Sequence, residues 1–320
     1  PNRYKDHALS RKAKRLALQK DGALFCYSTY ASEAFRADHQ LVRHRFLFQL
    51  HPHPKAVRTL LMEESERDPW ARGSLTTEYE LALSDREFEE MCMEPELANG
   101  WVAASSYTAR TLTEQGVPSR KTHVVPYGVD AERFFERSEA RSPSKKLIAV
   151  FVGSMIQRKG LSYFLDALRM LKSKHVGAVL CGRGMIDKEL LSRYTDIDVE
   201  VRVGLSTEQL VKQIHRSDLF VLPSLAEGFA HVILEAMSCG VPVIATPNTC
   251  APDVLTDGVH GFIVPIRDAE AVADKLSWAI ENREQIAEMG RAAAAQARGF
   301  TWERFRTGVR EAYRSMLTSA

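Results

Sequence analysis

The stretch that decides the fold is residues 218–246, which read DLFVLPSLAEGFAHVILEAMSCGVPVIAT. Residues 218–222 are a short apolar run, which is typical of a strand buried on both faces. A proline ends this run, and residues 229–239 then predict a helix that stops at Gly240. Residues 241–245 are a second buried strand. A strand, a loop, a helix and a strand in this order predict a parallel sheet with a right-handed crossover.

Two carboxylates flank the start of this helix. Glu227 lies in the loop before it, and Glu235 follows eight residues later on its second turn. The backbone N–H groups of residues 228–231 lie between them, and such a helix end binds phosphate. Acids beside a phosphate would repel it unless each accepts hydrogen bonds from hydroxyl groups, which indicates a ligand such as a nucleotide sugar. A lone Glu is more often a solvated surface charge, but Glu235 interrupts an apolar run and would have to be buried or paired.

The spacing of these acids resembles the E-x7-E signature of the retaining GT-B glycosyltransferases often called family 4. Glu227 and Glu235 match its two acids. The flanking pattern is matched by Gly228, Phe229, Ala236, Met237, Cys239, Gly240, Pro242 and Val243. Ala230 departs from it, because the family usually has Gly there, although Ala keeps the N–H group. His231 is also uncommon and is a candidate contact of the donor sugar or the acceptor.

The resemblance implies an α/β GT-B fold with two doubly wound Rossmann-like domains that face a cleft. It also implies that the N–H groups of residues 228–231 (Gly228, Phe229, Ala230 and His231) bind the phosphates of the donor. Glu235 would hold the ribose hydroxyls. Glu227 would bind the hydroxyls of the sugar and orient its reacting face.

The same resemblance sets the expected domain boundaries. Residues 124–134, VVPYGVDAERF, are similar to the family's crossover between domains. We therefore expect an acceptor-side domain at 1–130, a linker at 131–146, a nucleotide-sugar-binding domain at 147–299 and a returning helix at 300–320. A complete first domain in this family has more strands before the strand that is predicted here at residues 23–27, and the family's glycine-rich loop has no match in this chain. The expectation is an N-terminal domain that is truncated.

A second motif opens the nucleotide-sugar-binding domain. Gly153 lets a ligand approach the backbone closely, and Arg158 and Lys159 place two cations at the carboxyl end of a strand, where a diphosphate would sit. The family pattern G-x5-K-G matches Gly153, Lys159 and Gly160, which implies that Lys159 binds the donor diphosphate. Some members have Arg directly after the first glycine. Ser154 stands there in this chain, so Arg158 is expected to take that role.

Two histidines follow the strand predicted at residues 45–50. His51 and His53 alternate with prolines at the carboxyl end of the strand, the edge where open α/β sheets bind ligands. A metal pair would need a carboxylate that is not evident nearby. In the family, a His at the end of an equivalent strand contacts the donor sugar near the reacting carbon. His51 is the match and His53 the second choice, while a turn histidine without chemistry stays open.

Three other motifs carry less weight. The D-x-D sequence at 196–198 precedes a strand instead of following one, so we reject it as a metal site. The G-x-G at 182–184 is too short for a dinucleotide fingerprint and predicts a turn near the base or ribose. Residues 249–251 lie where related enzymes contact the donor.

Composition excludes several classes of function. The 320 residues carry a net charge of +2, which favours no nucleic-acid partner. The five cysteines are odd in number and have no close pairs, which argues against disulfides or a zinc site and for the cytoplasm. No apolar run approaches the ~20 residues of a membrane span. Residues 2–20 predict a basic helix that could dock on anionic lipid, or simply a helix with a solvated polar face.

These patterns together predict a glycosyltransferase. It would move a sugar from a nucleotide diphosphate sugar to a sugar, a lipid-linked or another hydroxyl acceptor with retention of configuration, in polysaccharide or glycolipid synthesis. Arg158, Lys159 and the helix end would stabilise the leaving diphosphate without a metal or other cofactor. The expected location is the cytoplasm, peripheral to the inner membrane face. The alternatives are a nucleotide-sugar epimerase of GT-B fold and a non-catalytic nucleotide-sugar-binding remnant.

Overall fold

The computed structural model describes residues 22–36, 42–135 and 146–318, together with residues 11–13, 15 and 17. Most of the basic helix predicted at 2–20 and of the linker predicted at 131–146 lies outside these residues. The remainder forms two parallel sheets with helices packed against them.

The first sheet has four parallel strands in the order β1-β2-β3-β4. The strands are β1 (Ala23–Tyr27), β2 (His44–Gln49), β3 (Gly100–Ala103) and β4 (Thr122–Val124). The connecting helices are α1 (Ser32–Arg36), α2 (Pro54–Arg67), α3 (Arg72–Leu75), α4 (Tyr79–Ala82), α5 (Asp85–Leu97) and α6 (Ser106–Glu114), with 3₁₀ turns at Pro69–Ala71 and Ser119–Lys121. All connections join parallel strands, so the carboxyl ends of the strands lie along one edge.

The second sheet has six parallel strands in the order β10-β9-β8-β5-β6-β7. They are β5 (Leu147–Met155), β6 (Val176–Ile186), β7 (Val199–Val203), β8 (Leu219–Leu222), β9 (Val243–Ala245) and β10 (Gly261–Ile263). The helices are α7 (Leu161–Leu171), α8 (Lys188–Ser192), α9 (Thr207–His215), α10 (His231–Ser238), α11 (Ala251–Val254), α12 (Ala269–Glu281) and α13 (Arg283–Ala297), with a 3₁₀ turn at Gln157–Lys159. The strand order reverses between β5 and β8, and such a switch point is where open α/β sheets bind ligands.

The last helix, α14 (Trp302–Thr318), leaves the second sheet and packs on the first. Apolar side chains of β2 alternate between the two faces of the sheet, so both faces need a helix to cover them. Phe46 packs edge-on against Tyr313 of α14, with ring centroids 5.5 Å apart, whereas Leu47 belongs to the cluster under α1 and α6. Gly100 of β3 makes room for the helix, since a Cβ there would lie 2.5 Å from Sδ of Met316. Helices therefore cover both faces of the first sheet.

The two sheets meet at Gly228, in the loop between β8 and α10. A Cβ at this position would lie 1.9 Å from the carbonyl oxygen of Leu50, at the end of β2. The Gly228 carbonyl accepts hydrogen bonds from Ser105 Oγ at 2.7 Å and Thr108 Oγ1 at 3.1 Å. The carboxyl ends of β2 and β8 consequently face each other across a cleft.

Gly228→Ala should weaken this contact. The new methyl group overlaps backbone and cannot be relieved by a side-chain rotation, and overpacking of this kind costs ~1–3 kcal/mol. The control is Gly73→Ala in α3, where a Cβ meets nothing within 4 Å, and where a change within about 0.5 kcal/mol is expected. Urea unfolding followed by tryptophan fluorescence measures both variants. Equal stability of the two would contradict the close approach of the sheets.

Candidate functional site

The helix that begins at His231 starts with an unusual turn. Ala230, its N-cap, has φ 69° and ψ 70° and makes no side-chain cap. This left-handed conformation favours Gly and costs Ala roughly 1–2 kcal/mol. The N–H groups of residues 228–231 donate to no acceptor among the residues that the structure describes. The start of α10 therefore presents free donors to the cleft. Ala230, which stands where the family usually has Gly, still contributes its N–H group.

Glu227 lies beside these donors and is buried. Its Oε1 atom contacts Lys159 Nζ at 2.6 Å and Arg158 Nη1 at 2.9 Å, and it accepts from Ser224 Oγ at 3.3 Å. Burial opposes ionisation, but the charges of Lys159 and Arg158 outweigh it and lower the pKa of the Glu227 carboxyl. No described residue donates to Oε2. The carboxylate is thus ionised at neutral pH, with one oxygen available to a ligand.

Arg158 is held from both sheets. Its Nε atom donates to Glu78 Oε2 at 2.6 Å, and its Nη1 donates to the Ala226 carbonyl at 2.9 Å as well as to Glu227. The side chain is largely buried, yet Glu227 and Glu78 raise the pKa of the guanidinium above its ordinary value. Nη2 donates to none of the described residues. One edge of Arg158 is therefore left for an anion.

Glu78 is a site residue that the sequence analysis missed. It precedes α4 in the irregular connection between α2 and α5, where no motif distinguishes it. Its carboxylate reaches Arg158 over a sequence separation of 80 residues. Only the tertiary fold brings the two together.

His51 follows β2 at its carboxyl end, on the cleft. Its Cα would lie 3.2 Å from a Cβ at Gly228. The surrounding protein lowers the pKa of His51 through burial and through the charge of Arg158, so the imidazole is neutral at pH 7. The structure thus brings His51 to the same cleft as Glu227 and Arg158.

His53, the second choice, has a structural role. It is 1% exposed, and its Nδ1 accepts from Lys55 N at 3.2 Å as the cap of α2. Its own N–H donates to Thr111 Oγ1 at 2.9 Å, and burial lowers the pKa of the imidazole to about 4. Within the described part of the chain, no group of three or more His, Cys, Asp or Glu side chains could hold a metal ion.

The remaining predicted site residues border the same cleft. The exposed ring of His231 stacks on Tyr127 with centroids 4.6 Å apart, while Phe229 is buried against the same tyrosine. Glu235 is half-buried on α10. Gly153 has φ 148°, and a Cβ there would lie 3.9 Å from Lys159 Cε.

Two of the weaker motifs make contacts within the protein. Asp196 pairs with Arg169 at 2.8 Å and Asp198 pairs with Lys146, so each carboxylate of the D-x-D sequence has its own cation. Residues 249–251 are fully buried, where a threonine hydroxyl bridges backbone groups on either side of it.

The model of the family described as glycosyl transferases group 1 matches residues 132–296. This chain belongs to that family. Among curated relatives, the putative colanic acid biosynthesis glycosyltransferase WcaL of Salmonella typhimurium is 31% identical over 185 residues, 54% of this chain and 45% of its own length. A D-inositol 3-phosphate glycosyltransferase of Segniliparus rotundus is 30% identical over 234 residues, 68% of this chain and 52% of its own. The chain spans about half the length of the curated relatives it matches.

Solved structures share the fold across nearly the whole chain. Anabaena Alr3699/HepE in complex with UDP superposes with a TM-score of 0.71 at 19% identity, covering 96% of this chain and 82% of that one. Sucrose-phosphate synthase from Thermosynechococcus elongatus gives a TM-score of 0.71 at 18% identity, covering 98% and 78%. At these identities the likeness concerns the fold alone, and it confirms the predicted GT-B architecture of Rossmann-like α/β domains.

Glu78→Gln should strengthen the binding of inorganic pyrophosphate at this site. The amide oxygen can still accept from Arg158 Nε, while one negative charge beside the cations is removed. If the Glu78 carboxylate and one charge of the bound pyrophosphate are about 10 Å apart, their repulsion at an effective dielectric constant of 20 is ~1–2 kcal/mol. Removing this repulsion corresponds to roughly tenfold in affinity.

Asp85→Asn is the control, because it changes the net charge equally at a carboxylate that is 89% exposed. Titration calorimetry at low ionic strength compares the variants. Weaker binding by Glu78→Gln would show instead that the charge of Glu78 is needed to hold Arg158 in place.

Proposed function

We propose that this chain transfers a sugar from a nucleotide diphosphate sugar to an acceptor hydroxyl, as a retaining glycosyltransferase of the family 4 type. One observation carries the proposal: Lys159 and Arg158 both contact Glu227, the residue directly before the free N–H groups at the start of α10. These contacts lie at the switch between β5 and β8. Two cations and a helix N-terminus form a site for a diphosphate.

The diphosphate is both the anchor of the donor and the leaving group. As the bond to the sugar breaks, negative charge grows on its oxygens, and preorganised donors stabilise that charge. Lys159 Nζ, Arg158 Nη2 and the N–H groups of Ala230 and His231 supply these donors. In this proposal the two side chains and the helix end take the place of a metal ion.

Glu227 acts on the sugar. In the unliganded site its Oε1 binds both cations, while Oε2 takes no protein donor. Oε2 can therefore accept from the hydroxyls of the sugar without displacing a protein contact. An ionised carboxylate forms stronger hydrogen bonds to hydroxyl groups than a neutral acceptor does, and this would fix the orientation of the reacting carbon.

Glu235 and His51 complete the arrangement. Glu235 lies about one turn along α10 from its first residue, His231, and in this proposal it reaches a ribose attached to the diphosphate. His51 faces the sugar from the first sheet, and its neutral imidazole can hydrogen-bond near the anomeric carbon without adding charge. Residues of both sheets thus contribute, and in this proposal the acceptor binds between them.

The acceptor belongs to polysaccharide or glycolipid synthesis in this proposal. The names of the relatives support it, since they include colanic acid and amylovoran biosynthesis glycosyltransferases. Among the helices that the structure describes, none combines the length and the hydrophobicity that a transmembrane span requires. A cytoplasmic location with peripheral contact to the membrane face remains part of the proposal.

Lys159→Ala should weaken donor binding strongly. Calorimetric titration of the chain with a panel of nucleoside diphosphates and nucleotide sugars should identify one nucleotide that binds tightly, with a loss of roughly a hundredfold in the variant, since a hydrogen-bonded charge contributes about 1.5–3 kcal/mol. Lys212→Ala, on the exposed face of α9, removes the same charge elsewhere and should bind as the original chain does. Binding that survives Lys159→Ala would refute the site.

Further experiments test the role of Glu235 and the type of reaction separately. Glu235→Ala should lose affinity for the nucleotide but keep its affinity for inorganic pyrophosphate, because the ribose contact is removed while the cations that bind the diphosphate stay in place. Release of nucleotide that depends on an added acceptor distinguishes a transferase from an epimerase. The anomeric configuration of the product, read by NMR, decides between retention and inversion.

A further inference from the structure

The most deeply buried carboxylate between the two sheets is that of Glu64, on α2. Its side chain is 0% exposed. Oε1 accepts from Gln157 Nε2 and from the Tyr163 hydroxyl, each at 2.7 Å, and Oε2 accepts from Arg267 Nε at 2.8 Å. All three donors belong to the second sheet and its helices. A buried charge is tolerated only with such partners, so this carboxylate requires the sheets to be docked.

Gln157 connects Glu64 to the cations of the site. It is fully buried and opens the 3₁₀ turn Gln157–Lys159. Its Oε1 accepts from Ser162 N at 3.2 Å, at the start of α7, and its own N–H donates to Ser74 Oγ of α3 at 3.4 Å. The side chain that binds Glu64 therefore belongs to the same short turn as Arg158 and Lys159, and its contacts orient that turn.

Arg267 holds α2 from a second loop. It has φ 62°, a left-handed conformation that non-glycine residues adopt at a cost. Besides Glu64, it contacts Glu63 Oε2 at 3.0 Å and donates to the Leu60 carbonyl at 2.9 Å. The second half of α2 is thus bound by two loops of the second sheet, one that contains Arg267 and one that contains Gln157 and the donor-binding cations.

We propose that Glu64 is a positioning residue of the donor site. Through Gln157 it holds the 3₁₀ turn so that Arg158 and Lys159 face the start of α10. The anion site in the second sheet is then complete only when α2 of the first sheet is docked against it. This inference rests on the proposed function, because it gives Glu64 a role in binding the donor.

The number of acceptors explains why a carboxylate is needed. Three donors converge on Glu64, and both of its oxygens are used. In Glu64→Gln the amide nitrogen replaces one acceptor, so at least one donor is buried without a partner. Glu63 offers a matched control, because it lies on the same helix and pairs with the same arginine but is 56% exposed.

Hydrogen exchange and calorimetry together test the inference. In Glu64→Gln, amides of residues 157–163 should exchange about tenfold faster than in the original chain, because the buried cluster that fixes their turn then contains a donor without an acceptor. Affinity for uridine diphosphate and for inorganic pyrophosphate should fall by about tenfold or more. Glu63→Gln should change neither. If Glu64→Gln fails to fold, Tyr163→Phe removes one of the three bonds and should shift both readouts in the same direction by a smaller factor.

Two results would overturn the inference. One is a folded Glu64→Gln that matches Glu63→Gln in both measurements. The other is faster exchange over the whole chain with unchanged affinity, which would mean that Glu64 only stabilises the fold. If the original chain binds neither probe, the proposed function fails, and unchanged exchange at 157–163 in Glu64→Gln then refutes the positioning role separately.

Discussion

A buried carboxylate must have its charge balanced, and the contact of Glu227 with Lys159 and Arg158 satisfies this constraint at the centre of the molecule. The fold makes the contact possible, because β5 and β8 are neighbours in the sheet and the turns that follow them lie side by side. Gly160 lets these turns touch, since a Cβ there would lie 1.9 Å from the Pro223 carbonyl oxygen. The remaining features of the site are arranged around this contact.

The docking of the two sheets has the same electrostatic character. The acids lie in residues 63–78, in the connection between β2 and β3, and they pair with arginines of the second sheet's loops and helices. The pairs are Glu64 with Arg267, Asp68 with Arg193 and Glu78 with Arg158. The pair at Asp68 has an N–O distance of 3.5 Å and a partly exposed arginine, so it contributes little. The buried contacts of Glu64 and Glu78 matter more, because Glu78 also binds Arg158 and Glu64 also binds Gln157, both of which lie in the turn that carries the cations of the site.

The second sheet and its ligand loops were predictable because their information is local. The buried strand predicted at 218–222 is confirmed as β8, whereas the helix predicted from residue 229 begins only at His231, because Ala230 has a left-handed backbone. Glu227 and Glu235 lie in the same short stretch, and the roles that their spacing implies stay a prediction. The acids of the first sheet were not predictable in this way. Glu78 and Glu64 lie in segments without a motif, and they meet their partners over 80 and 93 residues. Long-range contacts of single charged residues leave no periodic trace in a sequence.

The two histidines show the same limit at short range. His51 and His53 are separated by one proline and look equivalent in sequence, yet one faces the cleft and the other caps α2 inside the protein. The packing of α2 decides between them, and no local pattern reports it. Ala230 is a similar case, because its left-handed backbone is imposed by the loop and not by the residue.

A crystal structure of this chain with a bound nucleoside diphosphate tests the central claim most directly. The account predicts phosphate oxygens within about 3.2 Å of Lys159 Nζ and of the first N–H groups of α10, with Lys159 moved away from Glu227. A diphosphate bound elsewhere, with Lys159 still on Glu227 Oε1, would contradict it.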